Sequence, residues 1–228
     1  VSILKKCKQK GMNIIVASAR PLRNVIPINE IINFDSLVVS NGAKIIKEKN
    51  IIEHKIPFES GKKVIDLLNS NDLEITIETG KKAYSNVKLD YFETHVTNNL
   101  IEVLKNEGAL KIVISIKDSE TYHLINSVLD DNIYCTIANN HVIQIMSKKA
   151  TKWEGINKVI EMNNLDVSKC IYFGDDYDDI KPIEKCGLGI AMSNAIEECK
   201  KVSNHICKSN DEDGVAHFIE EFILKEEK

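Results

Sequence analysis

Two hydrophobic periods alternate along the chain, and the changes between them mark its elements. From Ser2 to Lys10 the apolar residues fall at helical spacing (Ile3, Leu4, Cys7), and Gly11 supplies a stop. Ile14 to Ala17 is then a wholly apolar run, short enough for a buried strand, ending in Ser18-Ala19-Arg20-Pro21. A second such run, Leu37 to Val39, ends in Ser40-Asn41-Gly42-Ala43. Ile45-Ile46 and Ile51-Ile52, on either side of Glu48-Lys49-Asn50, predict a hairpin, and Pro57 closes this stretch of strands.

The pattern then predicts a helix over 59–70, two short strands around Gly80-Lys81, a helix near 94–106, a strand over 110–116 and a helix over 118–129. Strands over 133–138 and 141–147 come next, about Asn139-Asn140. Hairpins mixed with helices imply an α+β unit with antiparallel pairing. From Thr151 strand and helix alternate again: helix 151–163, strand Cys170 to Phe173, loop Gly174 to Asp179, a helix through Lys185, strand Leu188 to Ala191, helix 195–201, strand His205 to Cys207 and a last helix over 213–224. That alternation is the signature of a doubly wound parallel sheet. The economical reading is an α/β core made of residues 1–55 and 149–228, with an α+β cap, residues 56–148, inserted between them.

Composition narrows the class without choosing the chemistry. With 228 residues, 43% of them hydrophobic, the chain supports a real core and is neither disordered nor a fibrous or disulfide-stapled sequence. Thirty Lys and Arg against 34 Asp and Glu leave a net charge of −4, so there is no overall pull toward nucleic acid or an anionic membrane, and a small metabolite is the expected partner. No apolar run approaches the ~20 residues that span a bilayer. Six scattered cysteines without a C-x-x-C pair fit a reducing cytoplasm. The chain opens at Val1 with neither an initiator Met nor a signal-peptide pattern, so a truncated start is expected.

The densest chemistry lies in Gly174-Asp175-Asp176-Tyr177-Asp178-Asp179, an apolar strand running into glycine and four carboxylates. Like charges so close raise one another's pKa unless a cation joins them, and carboxylates at a strand end are ligands that suit Mg²⁺. A solvated loop capping the next helix is the alternative, since Asp is favoured at helix starts in any case. Thr151-x-x-Glu154 has capping-box spacing, which puts Lys152 at a helix start. There the macrodipole is already positive, so Lys152 is either a surface lysine or the neighbour of an anion. Ser18 and Asn41 each come just after a short apolar strand, where ligands of open α/β sheets gather and where turns also use such residues.

Taken in order, these segments closely resemble the haloacid dehalogenase superfamily of phosphohydrolases, in the Cof-type branch with an inserted (type IIB) cap. Val16-Ala17-Ser18-Ala19-Arg20 is similar to the family's strand ending in Thr-Gly-Arg; Asn41-Gly42-Ala43 matches its Asn-Gly-Ala, Lys152 its motif lysine, and Gly174 to Asp179 its Gly-Asp-Gly-x-Asn-Asp. Gly187 to Ala195 and Asp211 to Ala216 look like its C-terminal signatures. The chain departs from the pattern at Asp178, where the family usually has Asn, and at Asp176, where it has Gly or another small residue. Its first motif, Asp-x-Asp-Gly-Thr, is expected upstream of Val1.

The resemblance implies an Mg²⁺-dependent hydrolase of small phosphomonoesters, sugar phosphates among them, in which an aspartate outside this chain takes the phosphoryl group. Asp175 would hold Mg²⁺, and Asp179 would stand behind it or bind through water. Lys152 would offset phosphoryl charge, and Ser18 would donate to the phosphoryl group. Arg20, Asn41, Gly42 and Asp178 would sit on the substrate side. The chain by itself is expected to be inactive. The rival expectations are a catalytically silent module of the same fold, and a flavodoxin-like phospho-acceptor domain, which has no use for the inserted region.

Overall fold

The computed structural model describes residues 1–89, 93–116, 119–138 and 142–225. Helix α1 (Ser2–Gln9) buries Ile3 and Cys7, as its spacing requires. Strand β1 (Ile15–Ala17) pairs in parallel with β2 (Ser36–Val39), placing Val16 opposite Leu37. β2 continues antiparallel to β3 (Lys44–Lys47), which forms the expected hairpin with β4 (Asn50–Glu53). Between β1 and β2 the chain forms helix α2 (Leu22–Ile32), which the apolar pattern did not announce. Pro27 lies inside it, and Ile26, Ile28 and Ile31 are exposed, so neither propensity nor one-sidedness marks the helix.

The middle of the chain comprises α3 (Phe58–Asn69), β5 (Ile75–Glu78), β6 (Ala83–Ser85), β7 (His95–Val96), α4 (Leu100–Asn106), β8 (Lys111–Ser115), α5 (Ser119–Asn126), β9 (Ile133–Ala138) and β10 (Val142–Ser147). These strands form one six-stranded sheet in the order β7-β6-β5-β8-β10-β9, antiparallel except for β6 with β7. The helix expected near 94–106 starts only at Leu100, because Asn99 caps it by accepting from the Glu102 amide at 3.1 Å; 95–96 are strand instead. The turn expected at Asn139-Asn140 lies outside the described residues.

Strand alternation divides this sheet into two unlike faces. Ile75, Ile77, Ile112, Ile114, Ile143 and Ile145 point to one side, all fully buried against Val64, Ile65, Leu68, Leu100, Leu104 and Ile125. Thr76, Glu78, Lys111, Ser115 and Gln144 occupy the alternate positions and line a cavity on the other side.

The last part runs α6 (Lys152–Met162), β11 (Ile171–Gly174), α7 (Ile180–Lys185), β12 (Leu188–Met192), α8 (Glu197–Val202), β13 (His205–Cys207) and α9 (Gly214–Phe218), with β11, β12 and β13 parallel. The helix expected over 213–224 changes to a π turn at Ile219–Ile223. Outside the six-stranded sheet, the parallel strands among the described residues form two ladders, β1-β2 and β11-β12-β13. On one side α6 packs Ile156, Val159 and Ile160 against Val38 and Ile45, with Ile15 and Tyr172 beside them. On another, Ile3, Cys7 and Ile219 meet Ile14 and Phe173. Strand ends of both ladders are thus held in one layered α/β body. All six cysteines are free thiols, and among the described residues no helix is long and apolar enough to cross a membrane.

Candidate active site

Four loops meet where β1, β2 and β11 end and α6 begins. After β1, the Ser18 amide donates to the Val38 carbonyl at 2.8 Å, and the Ser18 hydroxyl oxygen accepts from the Arg20 amide at 3.1 Å. Its proton is thereby left to donate outward. Arg20 is exposed, and its carbonyl accepts from the Ser40 amide at 2.9 Å.

After β2 the backbone turns through three left-handed residues, Ser40, Asn41 and Gly42, at φ of 51°, 56° and 91°. Gly42 is needed twice over: its φ is one that side chains avoid, and a Cβ there would lie 2.1 Å from the Thr151 carbonyl oxygen. The turn is therefore pressed onto the start of α6. It leaves Asn41 only 1% exposed, with its amide nitrogen donating to Asp178.

Lys152 is the first residue of α6, after Thr151, whose hydroxyl caps the helix by accepting from the Glu154 amide at 3.1 Å. Its ammonium is buried and pairs with Asp179 rather than reaching solvent. Asp179 also accepts from the Tyr172 hydroxyl at 2.6 Å and from the amides of Asp175 and Asp176 at 3.0 and 3.2 Å. Burial pushes the Asp179 carboxyl up, but the charge and hydrogen bond of Lys152, with the donors from Tyr172 and the backbone, outweigh it and hold the pKa below the usual value. Gly174 makes the fold-back possible, since a Cβ there would come within 2.5 Å of the Asp179 Cβ.

The two neighbouring carboxylates behave in the opposite way. Partial burial, then the Asp179 charge, raises the pKa of Asp175, with Lys152 opposing. Burial likewise raises Asp178, against Lys152, the Asn41 hydrogen bond and Lys111. Asp176 caps the turn at 177–179 by accepting from the Tyr177 amide at 2.8 Å, the capping role open to this loop from its sequence.

The loop thus divides into a paired carboxylate, Asp179, and two under-compensated ones, Asp175 and Asp178, which suit a hard cation. No three His, Cys, Asp or Glu among the described residues are grouped to cage a metal. Mg²⁺ fits such a place because it keeps several waters and takes one or two carboxylates together with substrate oxygens.

The structure brings together Ser18, Asn41, Gly42, Lys152, Asp175, Asp178 and Asp179, and leaves Arg20 at the exposed rim. Sequence reasoning missed Tyr172, which stands two residues before Gly174 on β11. It also missed Lys111, whose ammonium donates to the Asn41 side-chain oxygen at 2.7 Å from 70 residues away. No local spacing signals that contact.

Known proteins share this sequence pattern and this fold. The sequence model for haloacid dehalogenase-like hydrolases matches residues 1–219. A 5-amino-6-(5-phospho-D-ribitylamino)uracil phosphatase of Bacillus subtilis is 25% identical, over 96% of this chain and 88% of its own length. A haloacid dehalogenase-like hydrolase from Bacteroides thetaiotaomicron superposes with a TM-score of 0.87 at 22% identity, covering 96% of this chain and 90% of that one. A subclass IIB sugar phosphatase gives 0.84 at 19% identity, covering 98% and 90%. At such identities the structural likeness is one of fold.

Proposed function

Because this chain belongs to the haloacid dehalogenase-like hydrolases, we propose that it is the greater part of an Mg²⁺-dependent phosphohydrolase of small phosphomonoesters, of the Cof-type branch, which attacks phosphorus with an aspartate outside residues 1–228. Residues 56–148 serve as its cap, and residues 1–55 and 149–228 as its core. A free-thiol cysteine set favours a cytoplasmic setting.

The observation that carries this reading is the buried Lys152–Asp179 pair standing beside Asp175, which follows the end of β11, and Asp178, in the turn after it. Phosphoryl transfer asks for positioning and charge neutralisation more than for covalent chemistry from the protein. Lys152, held in place by Asp179, offsets charge developing on the phosphoryl oxygens. The Ser18 hydroxyl donates to one of them. Asp179 in turn is fixed by Tyr172 and by two backbone amides, so the lysine is oriented before substrate arrives. Asp175 is the carboxylate that would hold Mg²⁺, with Asp178 on the substrate side; when bound, the ion would neutralise negative charge shared between carboxylate and phosphoryl oxygens. Arg20, Asn41 and Gly42 complete the rim and floor on which the leaving group rests.

Phosphate release from a panel of small phosphomonoesters by the full-length protein, with Mg²⁺ and with excess chelator, tests the proposal. Release only with the cation is expected. Equal release in chelator overturns it, and no release from any ester with Mg²⁺ favours the silent module of the same fold.

A further inference from the structure

Lys111 opens β8 on the polar face of the six-stranded sheet, where it is 5% exposed. Its ammonium donates to the Asn41 side-chain oxygen at 2.7 Å, the Gln144 side-chain oxygen at 2.6 Å and the Ala19 carbonyl at 3.2 Å. Three protons thus have three acceptors. Two of these belong to the loops after β1 and β2, and the third to β10 of the same sheet as Lys111.

The chemistry of these groups fixes a direction. An ammonium has protons to give and no lone pair, whereas an ionised carboxylate accepts only. Asn41 lies between one of each and has a choice of two orientations. Lys111 requires that the amide oxygen face it, so the amide nitrogen faces Asp178, as found. Without the lysine only the carboxylate on the far side distinguishes the two ends of the amide. Lys111, Ala19, Ser40, Thr76, Glu78 and Gln144 also line the cavity of about 220 Å³ between the sheet and the loops.

We propose that Lys111 is a positioning residue: it locks the Asn41 amide so that Asp178 is held in one place beside the cavity that receives the leaving group. The proposal rests on the phosphohydrolase reading for the meaning of that place, but the lock itself is a property of the folded chain.

The test is a double-mutant cycle in the full-length protein, together with hydrogen exchange. Lys111→Met and Asn41→Ala are each expected to lower kcat/KM by about tenfold or more, mainly through KM, since both displace a substrate-side group. The double variant should lose no more than the worse single one, because both remove the same lock. Additive losses overturn the proposal, as does a Lys111→Met enzyme with an unchanged KM. If Lys111→Met does not fold, Lys111→Gln takes its place in the cycle: the amide fills the site but both accepts and donates, so it restores hydrogen bonds without enforcing polarity. Exchange needs no turnover. Lys111→Met, or Lys111→Gln in its place, should speed amide exchange at 40–43 and 175–179 and leave 58–69 unchanged. Changes confined to 111–115 and 142–147 would make Lys111 a pin within its own sheet and overturn the proposal. A wild-type protein that hydrolyses no ester ends the phosphohydrolase reading, while the exchange result still decides the lock.

Discussion

At the scale of single residues, one buried lysine joins stability to the proposed chemistry. Lys152→Met removes the partner of a carboxylate that is itself 3% exposed, and an uncompensated buried charge costs about 3 kcal/mol or more. Urea unfolding should register that loss. Phosphate release should fall on the order of 10²-fold or more, and Lys152→Met combined with Asp179→Asn should recover stability without recovering activity. The neighbouring carboxylates separate by charge balance. Asp175→Asn should raise the Mg²⁺ concentration for half-maximal rate by about tenfold, or 1.4 kcal/mol, whereas Asp178→Asn, which keeps a side-chain oxygen to accept from Asn41 and so keeps its place, should leave substrate affinity unchanged or improved, since burial already disfavours its charge. A Mg²⁺ titration at fixed substrate and a substrate titration at saturating Mg²⁺ read the two effects apart. Lys111 adds a pH dependence. Burial pulls its pKa down to about 8 from the ordinary 10.5, so between those values the unfolded chain holds a proton that the folded chain has released. Its destabilising contribution is therefore full below pH 8 and fades as pH rises toward 10.5. Denaturation of wild type and Lys111→Met at intervals from about pH 7 to 10 should show the wild type gaining relative to the variant.

At the scale of elements, the site depends on how tightly one turn meets one helix. Gly42 sits against the Thr151 carbonyl, and Gly155 in the next turn of α6 faces the Gly42 Cα, which a Cβ would approach to 3.1 Å. Gly42→Ala combines a left-handed backbone with a direct clash, and strain of this kind costs on the order of 1–3 kcal/mol before the helix shifts. A lower melting temperature with weakened substrate binding is expected, since α6 carries Lys152 and the turn carries Asn41. The legibility of elements obeys the same logic of local cues. The β3–β4 hairpin and the strand–helix alternation after Thr151 are readable because their periods are local. Helix α2 is not, because Pro27 interrupts its propensity and Ile28 and Ile31 face solvent. Apolar spacing alone starts α4 too early, because the Asn99 side chain sets the true first turn.

At the scale of the whole molecule, the six-stranded sheet carries its own core. The cluster around Ile65, Ile77, Ile112 and Ile143 draws its buried members from residues 56–145 alone. A segment of residues 56–148 should therefore fold cooperatively by itself, with coincident far- and near-UV unfolding transitions, and should release no phosphate. Polar contacts then join the sheet to the rest: Arg23 to Glu78 through two hydrogen bonds at 2.7 and 2.8 Å, and Lys111 to Asn41. By itself the sequence determined the α/β class, because alternating apolar periods arise from the geometry of helix and strand. It also singled out the loops that the proposed site uses, because Ser18, Asn41, Lys152 and the 174–179 carboxylates all lie beside strand or helix ends that can be read locally. Only the tertiary structure decided that Asp179 is the carboxylate paired with Lys152, and that Tyr172 and Lys111 reach the same cluster. Charge compensation depends on through-space distance and burial, and the contacts that set it here bridge 27, 70 and 137 residues of chain. No periodicity in the sequence records separations of that length; packing of the layers alone brings those groups within reach.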